Sequence, residues 1–168
     1  MKFKARAWKF PDNINTDLIL PSPASMLPVS EQPRYVFQAN RPGWVDLVQP
    51  GDIIVAGTNF GMGSSRPAAR SLRNLGLSCV VAESLNGLFF RNCVNYAFPA
   101  MVCAGVSTLF EEGEIAEVDF DASTVTNATT ARSLRGKPVP RQLLDIVKAG
   151  GIYPLLAKAG AIVFPATT

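Results

Sequence analysis

Residues 49–84 read QPGDIIVAGTNFGMGSSRPAARSLRNLGLSCVVAES, and their reading decides the fold. A Pro-Gly-Asp turn opens into Ile53, Ile54, Val55 and Ala56, a β-branched run without polar alternation, which predicts a strand buried on both faces. AARSLRNLG, 68–76, predicts a helix that stops at Gly76, where a missing Cβ suits a left-handed C-cap. LSCVVAES, 77–84, predicts a second buried strand. Strand, glycine-rich loop, helix and strand in that order predict parallel strands joined by a right-handed crossover.

Working outward, LNGLFFRNCVNYA, 85–97, predicts a helix with an apolar stripe, and PAMVCAG, 99–105, a third buried strand. Lys2–Trp8 alternates charge with apolar residues, the pattern of a strand with one wet face. RYVFQAN, 34–40, predicts a short helix after a proline-rich stretch. EIAEVDF and TVTNAT, 114–120 and 124–129, form a hairpin-like pair followed by an extended piece, RSLRGKPVP, 132–140. The last stretch, RQLLDIVKAGGIYPLLAKAG, predicts a helix broken at Gly150-Gly151. No repeat, low-complexity tract or linker interrupts the chain, so residues 1–168 are expected to form a single α/β domain with added β hairpins.

Composition bounds what that domain does. The 168 residues are 48% hydrophobic and 17% charged, which excludes a disordered chain. The net charge is +3, but its lysines and arginines are scattered with no basic stripe, so no nucleic-acid partner is expected. The N-terminus lacks the apolar core of a signal peptide, and no later run is long enough to cross a bilayer; the expectation is a cytoplasmic protein with no membrane partner. There is no histidine, and Cys79, Cys93 and Cys103 have no CxxC spacing. A zinc or iron–sulfur site built from this chain alone is therefore not expected, nor is a serine–histidine nucleophile pair.

The glycine loop carries the chemistry. Gly61 and Gly63 permit backbone angles and close approach that a Cβ would block. Placed between strand and helix, backbone amides and Arg66, a planar fork for a carboxylate or phosphate, would cradle a small anion. The competing reading is structural: Ser64 or Ser65 caps the helix and Arg66 makes a surface ion pair. A P-loop would need a lysine that this loop lacks, and a dinucleotide fingerprint would need glycine where Arg66 stands. Glu83 nevertheless lies about 20 residues beyond Gly63, where a ribose-binding acid would fall, so nucleotide binding stays open at this point.

GDIIVAGTNFGMGSSR, 51–66, resembles the central motif of the small, swivelling subunits of the aconitase superfamily, most closely those of 3-isopropylmalate dehydratases. Further blocks match in the same order: DNINTDLILP at 12–21, VVAESLNGLFFRNCVNYAFP at 80–99, EGEIAEVDF at 112–120 and LLDIVKAGGI at 143–152. The resemblance implies a three-layer β/β/α swivelling domain and a hydro-lyase that interconverts hydroxy-dicarboxylic acids such as 2- and 3-isopropylmalate, in leucine biosynthesis. It implies that this chain binds no cofactor, that a [4Fe-4S] cluster lies in a separate large subunit, and that activity needs both chains. Ser64 would be the catalytic base, with Gly63, Ser65 and Arg66 binding substrate carboxylate. Related hydro-lyases acting on citramalate, dimethylmalate or homoaconitate are the alternatives, as is a module that kept the fold and lost catalysis.

Two departures from the family pattern bear on this expectation. Met62 stands where the family has cysteine, and Pro67-Ala68 stand where it has Glu-His after the arginine, removing groups that would orient Arg66. The stretch after the first motif, with Ser25, Met26 and Leu27, falls where the family reads the substrate's side chain. It contains no arginine, which points away from a second distal carboxylate and toward an apolar or short side chain. A proline-rich surface loop is the plain reading of the same residues. Asp17 is read as a structural turn acid, and Lys2, Lys4 and Arg6 as a solvated strand face.

Overall fold

The computed structural model describes residues 1–63 and 66–163. In chain order the elements are β1 (Lys2–Phe10), α1 (Thr16–Ile19), α2 (Ser22–Ser25), two short 3-10 turns (Gln32–Tyr35 and Trp44–Asp46), β2 (Ile53–Ala56), α3 (Ala68–Asn74), β3 (Cys79–Ala82), α4 (Gly87–Asn95), β4 (Ala100–Val102), α5 (Val106–Leu109), β5 (Ile115–Asp119), β6 (Thr124–Asn127), β7 (Arg132–Arg135), α6 (Arg141–Lys148) and α7 (Ile152–Lys158). The strands form one seven-stranded sheet in the order β4-β3-β2-β1-β5-β6-β7.

β1 is the seam of that sheet. Its first five residues, Lys2–Arg6, pair antiparallel with β5, and its last four, Ala7–Phe10, pair parallel with β2. β2, β3 and β4 continue in parallel, whereas β5, β6 and β7 form antiparallel ladders. The parallel strands are enclosed on both faces: Ile54 and Val80 point into a core with Trp44, Leu72 and Phe89, while Ile53 and Val81 point into another with Phe110, Val118 and Val125. Every residue of β2 and β3 is buried, as unbroken β-branched runs demand, whereas β5 alternates. This is the α/β architecture expected from the sequence, with α3 and α4 as crossovers.

Three local readings change. Residues 34–40 are not a regular helix: a 3-10 turn ends at Tyr35, and Phe37 adopts a left-handed φ of 56° that no helix can continue. Four-residue α2 and α5 carry too short a pattern to announce themselves. Arg6 is only partly solvated, because it leans in to donate to Asp52 at 2.7 Å beside a second donor, Trp8 Nε1, also at 2.7 Å. Asp52 is buried and gathers these groups under β1, whereas Lys2 and Lys4 do pair with Asp119 and Glu117 on the outer sheet face.

Candidate active site

At their C-terminal ends β1, β2 and β3 deliver three loops to one place. The loop after β2, which contains the glycine motif, is stitched to both neighbours. On one side, Thr58 N donates to Asp12 Oδ1 at 2.6 Å, Asn13 N to Thr58 O at 2.8 Å, Gly61 N to Ile14 O at 2.7 Å and Thr16 N to Met62 O at 2.8 Å. On the other, Asn59 N donates to Ser84 Oγ at 2.8 Å, Phe60 N to Ser84 O at 3.1 Å and Asn86 N to Phe60 O at 2.9 Å. Several backbone groups between Thr58 and Met62 thereby find partners without a helix or strand of their own.

Glycine is required where the loop passes closest to the core. Gly61 has φ +79°, and a Cβ there would overlap the Phe89 ring. Gly63 has φ +106° and faces Thr16 Oγ1, which a Cβ would approach to 3.3 Å. Phe60 is fully buried and stacks edge-on with Phe89 at 5.4 Å between ring centres, whereas Met62 is 39% exposed and Gly63 is open to solvent. The loop is thus anchored through Phe60 and presents Met62 and Gly63 outward.

Ser64 and Ser65 lie outside the described residues, but both flanks are placed. α3 starts at Ala68 with Pro67 as its N-cap, at φ −74° and with no side-chain cap bond, so the capping position is not a serine. Proline is tolerated there because its missing N–H has no intrahelical acceptor to lose. Arg66 turns back across the loop, its Nη2 lying 2.6 Å from Asp17 Oδ1. Asp17 sits in the first turn of α1, whose N-cap Asn15 accepts from Leu18 N at 2.8 Å. The residue read as a turn acid is therefore the orienting partner of Arg66. Their separation of 49 positions left no signal in the sequence beyond their each lying in a recognisable motif.

The Asp17 carboxylate is more than half exposed and the Arg66 side chain about one-fifth exposed. Such a pair adds little to stability, at most about 1 kcal/mol. What it does is hold the guanidinium against α1, with an exposed acidic partner that an incoming carboxylate can replace.

The remaining candidates fall elsewhere. Glu83 accepts from Gly105 N at 2.7 Å and from Ser107 N and Oγ at 2.8 and 2.6 Å, capping α5. Burial alone would raise its pKa, but the bonds from Ser107 and Gly105 outweigh it and hold the carboxyl below its ordinary value. A carboxylate with three donors already in place is poorly suited to grip a ribose. Met26 is 86% exposed at the end of α2, and Leu27 tucks partly against the core. Ser25 Oγ turns inward to Ser22 O at 2.7 Å. The three cysteines are buried, and burial pushes Cys103 up to about 11 and Cys79 and Cys93 higher still. Among the described residues no group of three or more His, Cys, Asp or Glu is placed to hold a metal ion.

Comparison with known proteins joins this geometry to a family. Residues 29–101 match the Aconitase C-terminal domain family. The isopropylmalate/citramalate isomerase small subunit of Methanocaldococcus jannaschii is 40% identical over 157 residues, covering 92% of this chain and 94% of that protein. The chain belongs to the family of 3-isopropylmalate dehydratase small subunits. Another member, 3-isopropylmalate dehydratase small subunit 1 of Methanopyrus kandleri, is 38% identical across 96% of both chains. A crystal structure of 3-isopropylmalate dehydratase from M. jannaschii superposes with a TM-score of 0.89 at 29% identity, covering 95% of this chain and 96% of that one. The seam sheet with its parallel and antiparallel halves is thus the family fold. Among the described residues no helix is long and apolar enough to cross a membrane.

Proposed function

We propose that this chain is the small subunit of a hydro-lyase that isomerises a hydroxy-dicarboxylic acid of the isopropylmalate or citramalate class. The observation that carries the reading is Arg66, held by Asp17 at 2.6 Å at the exit of a glycine turn that is anchored inside and open outside. Arg66 binds a substrate carboxylate through its planar fork, and Ser65 and the amide side of Gly63 complete the contact. Ser64 accepts the proton from the carbon beside that carboxylate as the neighbouring carbon loses its hydroxyl. Returning the proton and water with the two positions exchanged yields the isomer.

A serine hydroxyl is a weak base, so the positive Arg66 beside it has a second task, lowering the energy of the serine oxyanion and of the charge that develops on the carboxylate. Met62 and Gly63 face solvent, and proton transfer of this kind is favoured where water is excluded. A large subunit is accordingly proposed to close over the loop. The family resemblance assigns that subunit an iron–sulfur cluster, which supplies Lewis acidity toward the departing hydroxyl. Pro67-Ala68 do not disable the site on this reading, because Asp17, and not the following dipeptide, orients Arg66.

Ser25, Met26 and Leu27 are proposed to read the substrate's side chain. With no arginine among residues 21–33 and Met26 standing free, an apolar or short side chain is favoured over a third carboxylate. The test is co-expression with the large subunit, anaerobic reconstitution, and the rise in absorbance of the unsaturated intermediate with isopropylmalate, citramalate, dimethylmalate and homocitrate. Turnover by the pair and by neither chain alone is expected. A preference for homocitrate or citrate would overturn the side-chain assignment, and a stable pair inert on every acid would overturn the enzymatic one.

A further inference from the structure

Gln32 is a polar side chain only 2% exposed, and it touches two segments that the proposed function uses separately. Its Nε2 donates to the backbone carbonyls of Ser25 at 3.2 Å and Leu27 at 2.9 Å. Its Oε1 accepts from Arg70 Nη2 at 3.3 Å and lies 3.3 Å from Ser71 Oγ. Carbonyl oxygens can only accept and a guanidinium can only donate, so the amide has one orientation that satisfies both ends. Arg70 and Ser71 belong to the first turn of α3, four and five residues after Arg66. Ser71 Oγ also lies 3.4 Å from Pro67 O, and Ser71 N donates to that same carbonyl at 3.1 Å. One amide therefore ties the Ser25–Leu27 segment to the helix that begins just after the carboxylate-binding arginine.

Apart from Gln32, the segment is fastened by Ala24 and Leu27 packing on the core. Its own backbone bonds are local, Met26 N to Pro23 O and Leu27 N to Ala24 O, and Met26 points into solvent. A four-residue helix does not hold its shape through internal bonds alone. We propose that Gln32 is a specificity-positioning residue: it sets the distance between the side-chain-reading segment and the start of α3, which follows Arg66 in the chain, and so determines which side chain fits while Arg66 holds the carboxylate. The inference rests on the proposed function and deepens it, since a ruler between two subsites has meaning only if both bind one substrate.

Gln32→Glu separates the two ends of the amide. The carboxylate still accepts from Arg70 and Ser71, with a charge to suit the arginine, but it has nothing to donate to Ser25 O and Leu27 O. The variant, paired with the large subunit, is to be assayed on isopropylmalate and citramalate, whose side chains differ in size. The expected result is that the ratio of kcat/KM values moves toward one by about tenfold, the scale on which a pocket discriminates small apolar differences, while kcat on the better substrate changes far less. Amide hydrogen exchange at Met26 and Leu27 in the isolated chain is expected to speed up, with Cys79–Ala82 unchanged.

Gln32→Met, similar in length and without polar atoms, repeats the test if the glutamate variant does not fold. An unchanged ratio with an active wild-type pair overturns the inference and leaves the functional reading intact. So does an equal loss on both substrates with a lowered Tm, the mark of a merely structural contact. Failure of the wild-type pair on every acid overturns the functional reading and this inference with it.

Discussion

Along β1, Lys2–Arg6 runs antiparallel to β5 with alternating exposure, whereas Ala7–Phe10 runs parallel to β2 and is mostly enclosed. The same strand thus belongs to two kinds of sheet. The antiparallel half turns one face to water, where Lys2 with Asp119 and Lys4 with Glu117 line up across the ladder. The parallel half has both faces covered and sends its loops to the C-terminal ends of the strands, where crossovers leave room for a site. One half is a wall and the other carries the proposed site. The difference follows from connectivity: hairpin turns are short and used up in reversing the chain, while crossover loops are free to present side chains.

Substitutions can break this contrast, and the largest effect is expected at its functional end. Ser64→Ala, in the complex with the large subunit, is expected to lower kcat by about 10²–10⁴-fold, the usual contribution of a positioned base, with the complex itself intact by gel filtration. Retained turnover would remove Ser64 from the mechanism.

Two left-handed glycines compare the halves directly. Gly61 at φ +79° is backed by Phe89, whereas Gly113 at φ +91°, in the turn before β5, has nothing near its missing Cβ. Gly113→Ala is expected to cost only the backbone strain, about 1–2 kcal/mol. Gly61→Ala adds overpacking of about 1–3 kcal/mol and should also raise KM by displacing the loop. Equal losses in denaturant titrations would mean that the loop is less tightly seated than its contacts indicate.

Asp17→Asn keeps the shape of the orienting partner and removes its charge. KM is expected to rise roughly fivefold, corresponding to about 1 kcal/mol for one hydrogen-bonded contact, with a smaller change in kcat and almost none in Tm because the pair is exposed. A fall in Tm without a change in KM would make Asp17 a structural acid after all.

The smallest effect is expected at Glu83, which joins the two halves by capping α5. Its folded-state pKa lies below the ordinary value of 4.5, so its bonds stabilise the fold above that pH, and the stabilisation is lost as pH falls through the lower folded value. Glu83→Gln is expected to lower stability modestly at pH 7, where the carboxylate contributes in full, and so to leave the acid limb of a stability–pH curve shallower below pH 4.5. An unaltered acid limb would show that Ser107 and Gly105 do not depend on the carboxylate.

Much of this molecule was legible from pattern. β2 and β3 were visible because burial on both faces demands unbroken apolar runs, and the β5–β6 hairpin because one wet face demands alternation. Gly76 ends α3 with φ +100°, as its missing Cβ suggested. Elements of four residues, α2 and α5, were not visible, since a single turn carries no period. Glu83 shows the limit of spacing arguments: its distance from Gly63 suited a ribose acid, and the fold spent it on the amides of α5. The serine-capping reading fails for a local reason, since Arg66 and the N-cap Pro67 stand between the serines and the start of α3.

The sequence by itself determined the order of the longer strands and helices and the positions where only glycine fits, and it singled out Ser64, Ser65 and Arg66 as the residues proposed to carry the chemistry. Those depend on neighbours within a few positions, where periodicity and backbone sterics act. Only the tertiary structure decided that Asp17 holds Arg66, that Arg6 lies against Asp52, and that Gln32 joins Ser25 and Leu27 to α3. Each pairing spans segments that pack together only when the sheet has formed, and a hydrogen bond between distant side chains leaves no periodic trace in either segment.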